Sequence, residues 1–267
     1  NAQTCPGWAG CPDPTFGVDG IARIANVGGS TPVSTVLQSD GKILVMPRGL
    51  TSETGHKITR LNGDGSLDTA FGSGGSASFV WKLTKGTSVY YGNANAIAIQ
   101  TVSGSERLLV VGQSPILSGN KVITSRLRVD RLLPNGSLDT TWGSGGTLSI
   151  NVSSASAVAV QPDQKIVVTS ASFGELIRLN ANGTLDPTFG SGGIVSSGNG
   201  WDLALDGVGR ILVLGMTTTG RGNQVSTYYS VRRFFADGAS DLSFGTNGVA
   251  VTSFPNRYRL GTVRIDP

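Results

Sequence analysis

An all-β fold is predicted for this 267-residue chain by three observations. A polar landmark recurs five times, a hairpin pattern fills the intervals between its copies, and no segment carries a helical apolar period with caps. Composition agrees. Charged residues make up 14% of the chain and apolar ones 38%, with 39 glycines, about twice ordinary glycine usage. A disordered polyelectrolyte needs more charge and fewer apolar residues, and no Gly-X-Y period suggests collagen. The longest apolar runs, such as Ile43–Met46, fall far short of the roughly 18 residues that span a bilayer. The net charge of +4 is scattered, with small clusters at Arg126/Arg128/Arg131, Arg232/Arg233 and Arg257/Arg259/Arg264. Nucleic-acid binding wants a concentrated basic stripe, so no nucleic-acid partner is expected.

The chain opens with two cysteines, Cys5 and Cys11, and no apolar leader. The one histidine, His56, lies in another segment in an ordinary hairpin-loop context, so no metal constellation forms around the cysteines. A short disulfide is the expected reading. It implies an oxidising compartment and a secreted or extracellular chain, cell-surface association included. Residues 1–12 are then a disulfide-bonded N-terminal segment, and 13–267 a single repeat domain.

Four copies of the landmark align without gaps: RLNGDGSLDTAFGSGG from Arg60, RLLPNGSLDTTWGSGG from Arg131, RLNANGTLDPTFGSGG from Arg178 and RFFADGASDLSFGTNG from Arg233. A truncated copy, CPDPTFGVDG, starts at Cys11. The aromatics Phe16, Phe71, Trp142, Phe189 and Phe244 lie 55, 71, 47 and 55 residues apart, close to the length of a four-stranded propeller blade. The long second unit carries its extra residues around Lys85–Asn95 or Leu117–Thr124. Between landmarks come VSTVLQSDGKILVM, AIAIQTVSGSERLLVVG, AVAVQPDQKIVVTS and DLALDGVGRILVLG. Each is a strand, a tight polar turn and a more apolar strand. The first strand alternates small with large, which suits a crowded central axis. Runs such as Ile166–Val168 suit strands buried on both faces. The prediction is a β-propeller of four full blades plus a partial fifth, each blade a four-stranded antiparallel sheet.

The pattern LDxxFGxxG after RLNxxG and a DGKILV-like hairpin resembles the delta-sixty repeat family of bacterial β-propeller repeats. The resemblance runs from about Asp13 to Pro267. It implies a propeller in an exported or surface protein and is nearly silent on function.

The repeated polar residues have structural and functional readings. In NGDGSLD, Asn62, Asp64 and Asp68 offer the oxygens of a calcium loop, but Asn-Gly and Asp-Gly are also the residues of tight turns. Turns are favoured, and no cofactor is expected, calcium being the alternative. Arg60/Asp68, Arg131/Asp139, Arg178/Asp186 and Arg233/Asp241 keep a constant spacing of eight. They read as repeated ion pairs, with Phe71, Trp142, Phe189 and Phe244 as wedges between blades, rather than as a ligand-binding ring. No catalytic triad can be completed. The non-repeat carboxylates Glu53, Glu106, Glu175 and Asp202 stand alone. Non-repeat aromatics, Trp81, Tyr90, Tyr91, Trp201, Tyr228, Tyr229 and Tyr258, are candidates for sugar stacking, with packing the commoner role.

Blade arithmetic leaves Gly20–Ile24 at one end, and Gly248–Phe254 and Leu260–Asp266 at the other. Arg264 takes the central position held by Val36, Ala98, Ala159 and Ala204 in the other first strands, so the last strand is expected at an edge. Ile21, Ile24, Val249, Val251, Val263, Arg264 and Ile265 are the candidate interface. The functional expectation is a secreted, non-enzymatic module that self-associates through its terminal strands, partnering other copies of itself or an extracellular protein or glycan. A glycan- or protein-binding propeller is the alternative, and a glycoside-cleaving enzyme the third reading.

Overall fold

Each hairpin pattern forms the inner half of a four-stranded antiparallel sheet, and the landmark forms the turn between that sheet's third and fourth strands. The computed structural model describes residues 12–24, 32–47, 55–152, 154–170, 174–219 and 226–255. Sheet I orders β1 (Pro32–Leu37), β2 (Ile43–Pro47), β3 (His56–Leu61) and β4 (Ser76–Phe79). A separate hairpin follows, β5 (Lys82–Lys85) with β6 (Ser88–Tyr91). Sheet II orders β7 (Asn93–Val102), β8 (Ser105–Ser118), β9 (Lys121–Leu132) and β10 (Thr147–Ile150). Sheet III takes β11 (Ala157–Val160), β12 (Ile166–Ser170), β13 (Glu175–Leu179) and β14 (Ile194–Ser196). Sheet IV takes β15 (Gly200–Leu205), β16 (Ile211–Thr219), β17 (Ser226–Phe234) and β18 (Val249–Pro255). No helix occurs among the described residues, and so none is long and apolar enough to cross a membrane.

The first strands of the sheets lie side by side: β1 beside β7, β7 beside β11, β11 beside β15. Small residues permit this approach, with Ala96, Ala98 and Ala157 buried along the row. The core is three clusters, one in each space between consecutive sheets. Leu44, Met46 and Ile58 of sheet I meet Ile97, Leu108 and Val110 of sheet II. Leu109, Leu127 and Val129 meet Ile166, Val168 and Ile177. Val167 and Leu176 meet Leu203, Ile211 and Val213. Strand β12 serves two clusters and is buried throughout, which accounts for its unbroken β-branched run.

Two sequence expectations are corrected here. Gly20–Ile24 is not a strand: it makes one isolated bridge, Ile21 to Val18, within its own turn. An apolar alternation becomes a strand only where a partner supplies hydrogen bonds, and no sheet offers one to Gly20–Ile24 among the described residues. His56 is not in a loop but opens β3, buried beside the rings of Phe79 and Trp81. The C-terminal strand completes sheet IV as β18, paired with β17. Val263, Arg264 and Ile265 lie outside the described residues, as do Cys5, Cys11, Glu53 and Tyr258. The extra length of the second unit falls in both expected places, as the β5–β6 hairpin and as the long β8–β9 hairpin.

Candidate functional site

The two ends of the inner strands are built differently. At the far end the landmark residues form one repeated constellation. Arg Nε meets Asp Oδ2 at 2.7 Å in Arg60–Asp68, 2.9 Å in Arg131–Asp139, 2.8 Å in Arg178–Asp186 and 2.7 Å in Arg233–Asp241. The other carboxylate oxygen accepts the backbone N–H two residues on, from Ala70, Thr141, Thr188 and Ser243. The guanidinium covers the following aromatic, 4.6 Å from Phe71, 5.2 Å from Trp142, 4.5 Å from Phe189 and 4.5 Å from Phe244.

From there the constellation reaches into the next sheet. Arg60 Nη1 donates to the carbonyl of Pro134 at 2.6 Å. Trp142 Nε1 and Gln100 Nε2 share the carbonyl of Ala181, and Arg178 and Gln161 share that of Ala236. Each acceptor lies three residues after the next sheet's landmark arginine. The aromatic ring enters the same turn against a glycine: Phe16 on Gly65, Phe71 on Gly136, Trp142 on Gly183 and Phe189 on Gly238. At Gly183 the φ of +92° is one that L side chains rarely adopt, and a Cβ would stand 2.8 Å from Trp142. Side chains from neighbouring turns add further ties. Glu106 accepts from Gln38 Nε2 and Ser39 N, both at 2.8 Å, and Gln164 Oε1 accepts from Thr101 N at 2.7 Å.

Burial alone would raise the Asp186 carboxyl. Hydrogen bonds from Thr188, with Lys165 and Arg178 beside it, outweigh that and hold it well below the usual carboxylate range. The same opposition, with Thr141 and Arg131 as the lowering partners, holds Asp139 down. Asp64 caps its own turn, accepting from Ser66 N at 2.9 Å and Ser66 Oγ at 2.6 Å. Its Oδ1 and both oxygens of Asp68 are thus engaged as turn and ion-pair acceptors. Among the described residues no group of three His, Cys, Asp or Glu converges on a point that could hold a metal ion.

A cleft of about 730 Å³ runs along the inner strands β1, β7, β11 and β15, from beside the landmark turns to the opposite end. Here three strands make the same departure from regular pairing. Register slips between Pro32 and Ser34 in β1, Ala94 and Ala96 in β7, and Gly200 and Asp202 in β15. Each slip leaves one bulged residue: Val33, Asn95 and Trp201. A β-bulge re-aims the side chain it carries. Gly112 and Gly215 stand opposite two of the bulges, where a Cβ would strike the carbonyls of Asn93 and Asn199. The bulge is repeated but its side chain is not. Asn95, Ser156 and Trp201 share one position, counted back from Gln100, Gln161 and Asp206, and Ser34, Ala96, Ala157 and Asp202 share the next. Asn95 Nδ2 donates to the Ala155 carbonyl at 2.7 Å, and Ser34 Oγ accepts from Ile97 N at 3.2 Å. Trp201 lies edge-on to Tyr229, ring centroids 6.1 Å apart. The buried Tyr229 hydroxyl has no hydrogen-bond partner among the described residues.

The remaining sequence candidates separate. Trp81 is buried beside His56 and Phe79, its Nε1 donating to Asp130 Oδ2 at 2.7 Å. Tyr90 and Tyr91 end the β5–β6 hairpin and Tyr228 lies on β17. Of the aromatics, only Trp201 lines the cleft, with Asp202 beside it. Sequence reasoning singled out both but not Asn95, Ser34 or Ser156, whose signal was a departure from the repeat at two adjacent aligned positions.

Two stretches, residues 38–71 and 161–189, match a family model described as a domain of unknown function (DUF5122) beta-propeller. Both begin at the glutamine that directly follows an inner strand, Gln38 or Gln161, and end at a wedge, Phe71 or Phe189, and thus span the repeated constellation. The repeat is therefore a β-propeller repeat. A search of curated proteins gives no match. Among solved structures the chain is similar to a glucose dehydrogenase (TM-score 0.47, 16% identity, covering 76% of this chain and 60% of that one). It is also similar to a PQQ-bound aldose sugar dehydrogenase from Streptomyces coelicolor (0.46, 14%, 82% and 63%). A third similarity is to a protein of unknown function from Bacteroides caccae (0.38, 9%, 84% and 87%). The chain spans about three-fifths of the length of those two dehydrogenases.

The expectation of a secreted, non-enzymatic module that self-associates through its terminal strands is corrected. Similar structures are described as sugar dehydrogenases, not as assembly modules. The N-terminal half of the expected interface, Ile21 and Ile24, is not on a strand, and Val249 and Val251 belong to the outer strand of sheet IV.

Proposed function

We propose that this chain is a ligand-binding propeller repeat protein. On this reading sheets I–IV are four consecutive blades of the delta-sixty type, and the cleft between their inner strands holds a small, polar, neutral or cationic molecule. One observation carries the proposal: where the repeat holds its geometry, at the bulge, it abandons its side chains. Structure demands the bulge but not its residues, which differ from copy to copy: Asn95 and Trp201 on two bulges, Ser156 at the aligned position just before β11, and Ser34 and Asp202 one residue further on. They supply an amide, two hydroxyls, a carboxylate and an indole around one cavity, the usual make-up of a site that orients a polar ligand.

The charge of the wall selects against one ligand class. Asp202 is the sole charged side chain among the described lining residues. A polyanionic quinone such as PQQ, with three carboxylates, would meet a like charge and no cation, so these residues do not fit it. A single carboxylate gives no acid–base pair among the described lining residues, and the proposal is recognition.

The test is a thermal-shift and tryptophan-fluorescence screen of the intact chain against polyols, aldoses, amines and amino acids. A ligand at about 100 times its Kd stabilises by about 2.7 kcal/mol. The expected result is a hit whose shift disappears in Asp202→Asn and in Trp201→Ala while both variants melt normally without ligand. A hit that both variants retain places binding elsewhere and overturns the reading.

A further inference from the structure

The second unit carries the separate β5–β6 hairpin and a long β8–β9 hairpin, and the two meet. β5 and β6 both pack against β8. Beyond the slip at Ser114/Ile116, β8 continues as Ile116–Ser118, paired with Lys121–Ile123 of β9. Lys85, at the tip of the first hairpin, donates its Nζ to the carbonyl of Asn120, at the tip of the second. The two tips therefore form one projection.

The root of that projection is fixed. Trp81 is buried, Arg128 lies 5.1 Å over its ring, and Arg128 Nε meets Asp130 Oδ1 at 2.9 Å. Gly92 N donates to the Trp81 carbonyl at 2.7 Å, closing the base of the first hairpin. A surface held this way loses little conformational freedom when a partner covers it.

Its chemistry differs from the rest of the surface. Residues 80–92 and 114–126 contain Lys82, Lys85, Lys121 and Arg126 and no Asp or Glu. The half-buried cations of the other turns are each paired with an acid close in the chain: Lys42–Asp40, Lys165–Asp163 and Arg210–Asp206. Lys82, Lys85 and Lys121 are exposed and make no ion pair with any described residue. Between them stand aliphatic side chains in water: Val80 at 40% exposure, Val89 at 43% and Leu117 at 49%.

We propose that this twin hairpin docks on an anionic lipid surface, its lysines at the headgroups and Val89 and Leu117 at the acyl boundary. Charge complementarity selects a negative partner. The aliphatics then choose between a soluble polyanion and a bilayer: a hydrated polyanion gives Val89 and Leu117 nothing, whereas the headgroup boundary takes apolar side chains flanked by lysines. Each lysine brought to an anionic surface strengthens partitioning about five-fold, so three together contribute about a hundred-fold. The surface is separate from the cleft, and the inference stands whether or not the cleft binds a ligand.

The test is co-sedimentation of the intact chain with phosphatidylcholine vesicles, with and without phosphatidylserine, at low and high salt. Binding is expected only with phosphatidylserine and should weaken with salt. Replacing Lys82, Lys85 and Lys121 together by Gln should reduce it about a hundred-fold, while replacing all three by Arg should preserve it. Leu117→Ser, with charge unchanged, should weaken it at least five-fold. All the substituted side chains are exposed, and unchanged melting curves verify that each variant is folded. No binding to phosphatidylserine vesicles, equal binding to neutral ones, or indifference to the lysine substitutions overturns the proposal. So does a Leu117→Ser variant that binds normally while heparin displaces the protein, which would identify a soluble polyanion as the partner.

Discussion

The two ends of the inner strands carry opposite instructions. At the landmark end, three inter-sheet junctions use the same parts in the same places: an arginine, an aspartate, an aromatic ring and a glycine in the next turn. At the cleft end the backbone bulge recurs, but its occupants are Val33, Asn95 and Trp201. The difference teaches that in this chain uniformity marks what holds sheets together, and divergence marks the face to which the proposed function assigns recognition. Substitutions at the two ends should therefore separate stability from binding.

The largest expected effect lies at the landmark end. Asp139→Ala or Asp186→Ala leaves Arg131 or Arg178 buried beside no carboxylate, and breaking a buried pair from one side costs about 3–5 kcal/mol. Urea denaturation measures it. Asp202→Asn, at the other end, keeps the side chain's shape and leaves no buried guanidinium behind, and should cost clearly less. Equal losses at the two sites would erase the distinction.

Next come paired glycine substitutions. Gly183→Ala forces a Cβ into a left-handed residue against Trp142, whereas Gly192→Ala meets open space at φ +61°. The first should cost about 2–3 kcal/mol from backbone and overpacking together, the second about 1 kcal/mol from backbone alone. A difference near zero would mean that the aromatic wedge carries no weight.

Acid provides a third, graded comparison. Burial lowers the His56 imidazole from its ordinary 6.5, against the opposing pull of the Gly92 carbonyl and of Asp130. Its Nδ1 has no partner among the described residues. A depressed native pKa means that the unfolded chain binds the proton first. The contribution of neutral His56 is therefore complete above about pH 6.5 and is lost as pH falls through the native value. Asp139 and Asp186 behave likewise from their ordinary 3.8 downward. Melting temperature should thus decline in two limbs, and His56→Phe should flatten the upper one alone. A His56→Phe variant that keeps the upper limb would assign it to another group.

The smallest effects concern metal and redox state. EDTA should leave the melting temperature unchanged, because Asp64 Oδ1 and both Asp68 oxygens are engaged in turn and ion-pair bonds. Cys5 and Cys11 are expected to be joined, so the unreduced chain should lack two hydrogens in its intact mass. Free thiols would remove the reason for placing the chain in an oxidising compartment.

How much of this was legible in the sequence depended on range. The hairpins, the landmark turn and the eight-residue Arg–Asp spacing are local, and each repetition reinforced the reading. His56 looked like a loop residue because its neighbours in the chain are polar, while its burial comes from Trp81 and from Gly92, 36 residues further on. Gly20–Ile24 had the pattern of a strand, but pairing is a property of two segments and one of them was missing. Asp202 appeared as a lone carboxylate because Ser34, Asn95 and Ser156 reach the same cavity from strands roughly 60 residues apart. Aligning the repeats on Gln38, Gln100, Gln161 and Asp206 would have exposed it, since the cleft is visible as the position where the copies disagree.

One property of the landmark junction bears on how such a chain is inherited. The donors come from side chains of one unit, but the acceptors, Pro134, Ala181 and Ala236, are main-chain carbonyls of the next. A carbonyl is present whatever residue is written there, and proline serves as well as alanine. The receiving turn need supply little more than a glycine two residues later, at Gly136, Gly183 or Gly238. A unit copied in frame thus arrives able both to give and to take the junction, with no compensating change required in its neighbour. Tandem duplication and later drift are tolerated together, because the grammar joining units is written in the backbone and leaves the other rim free to diverge.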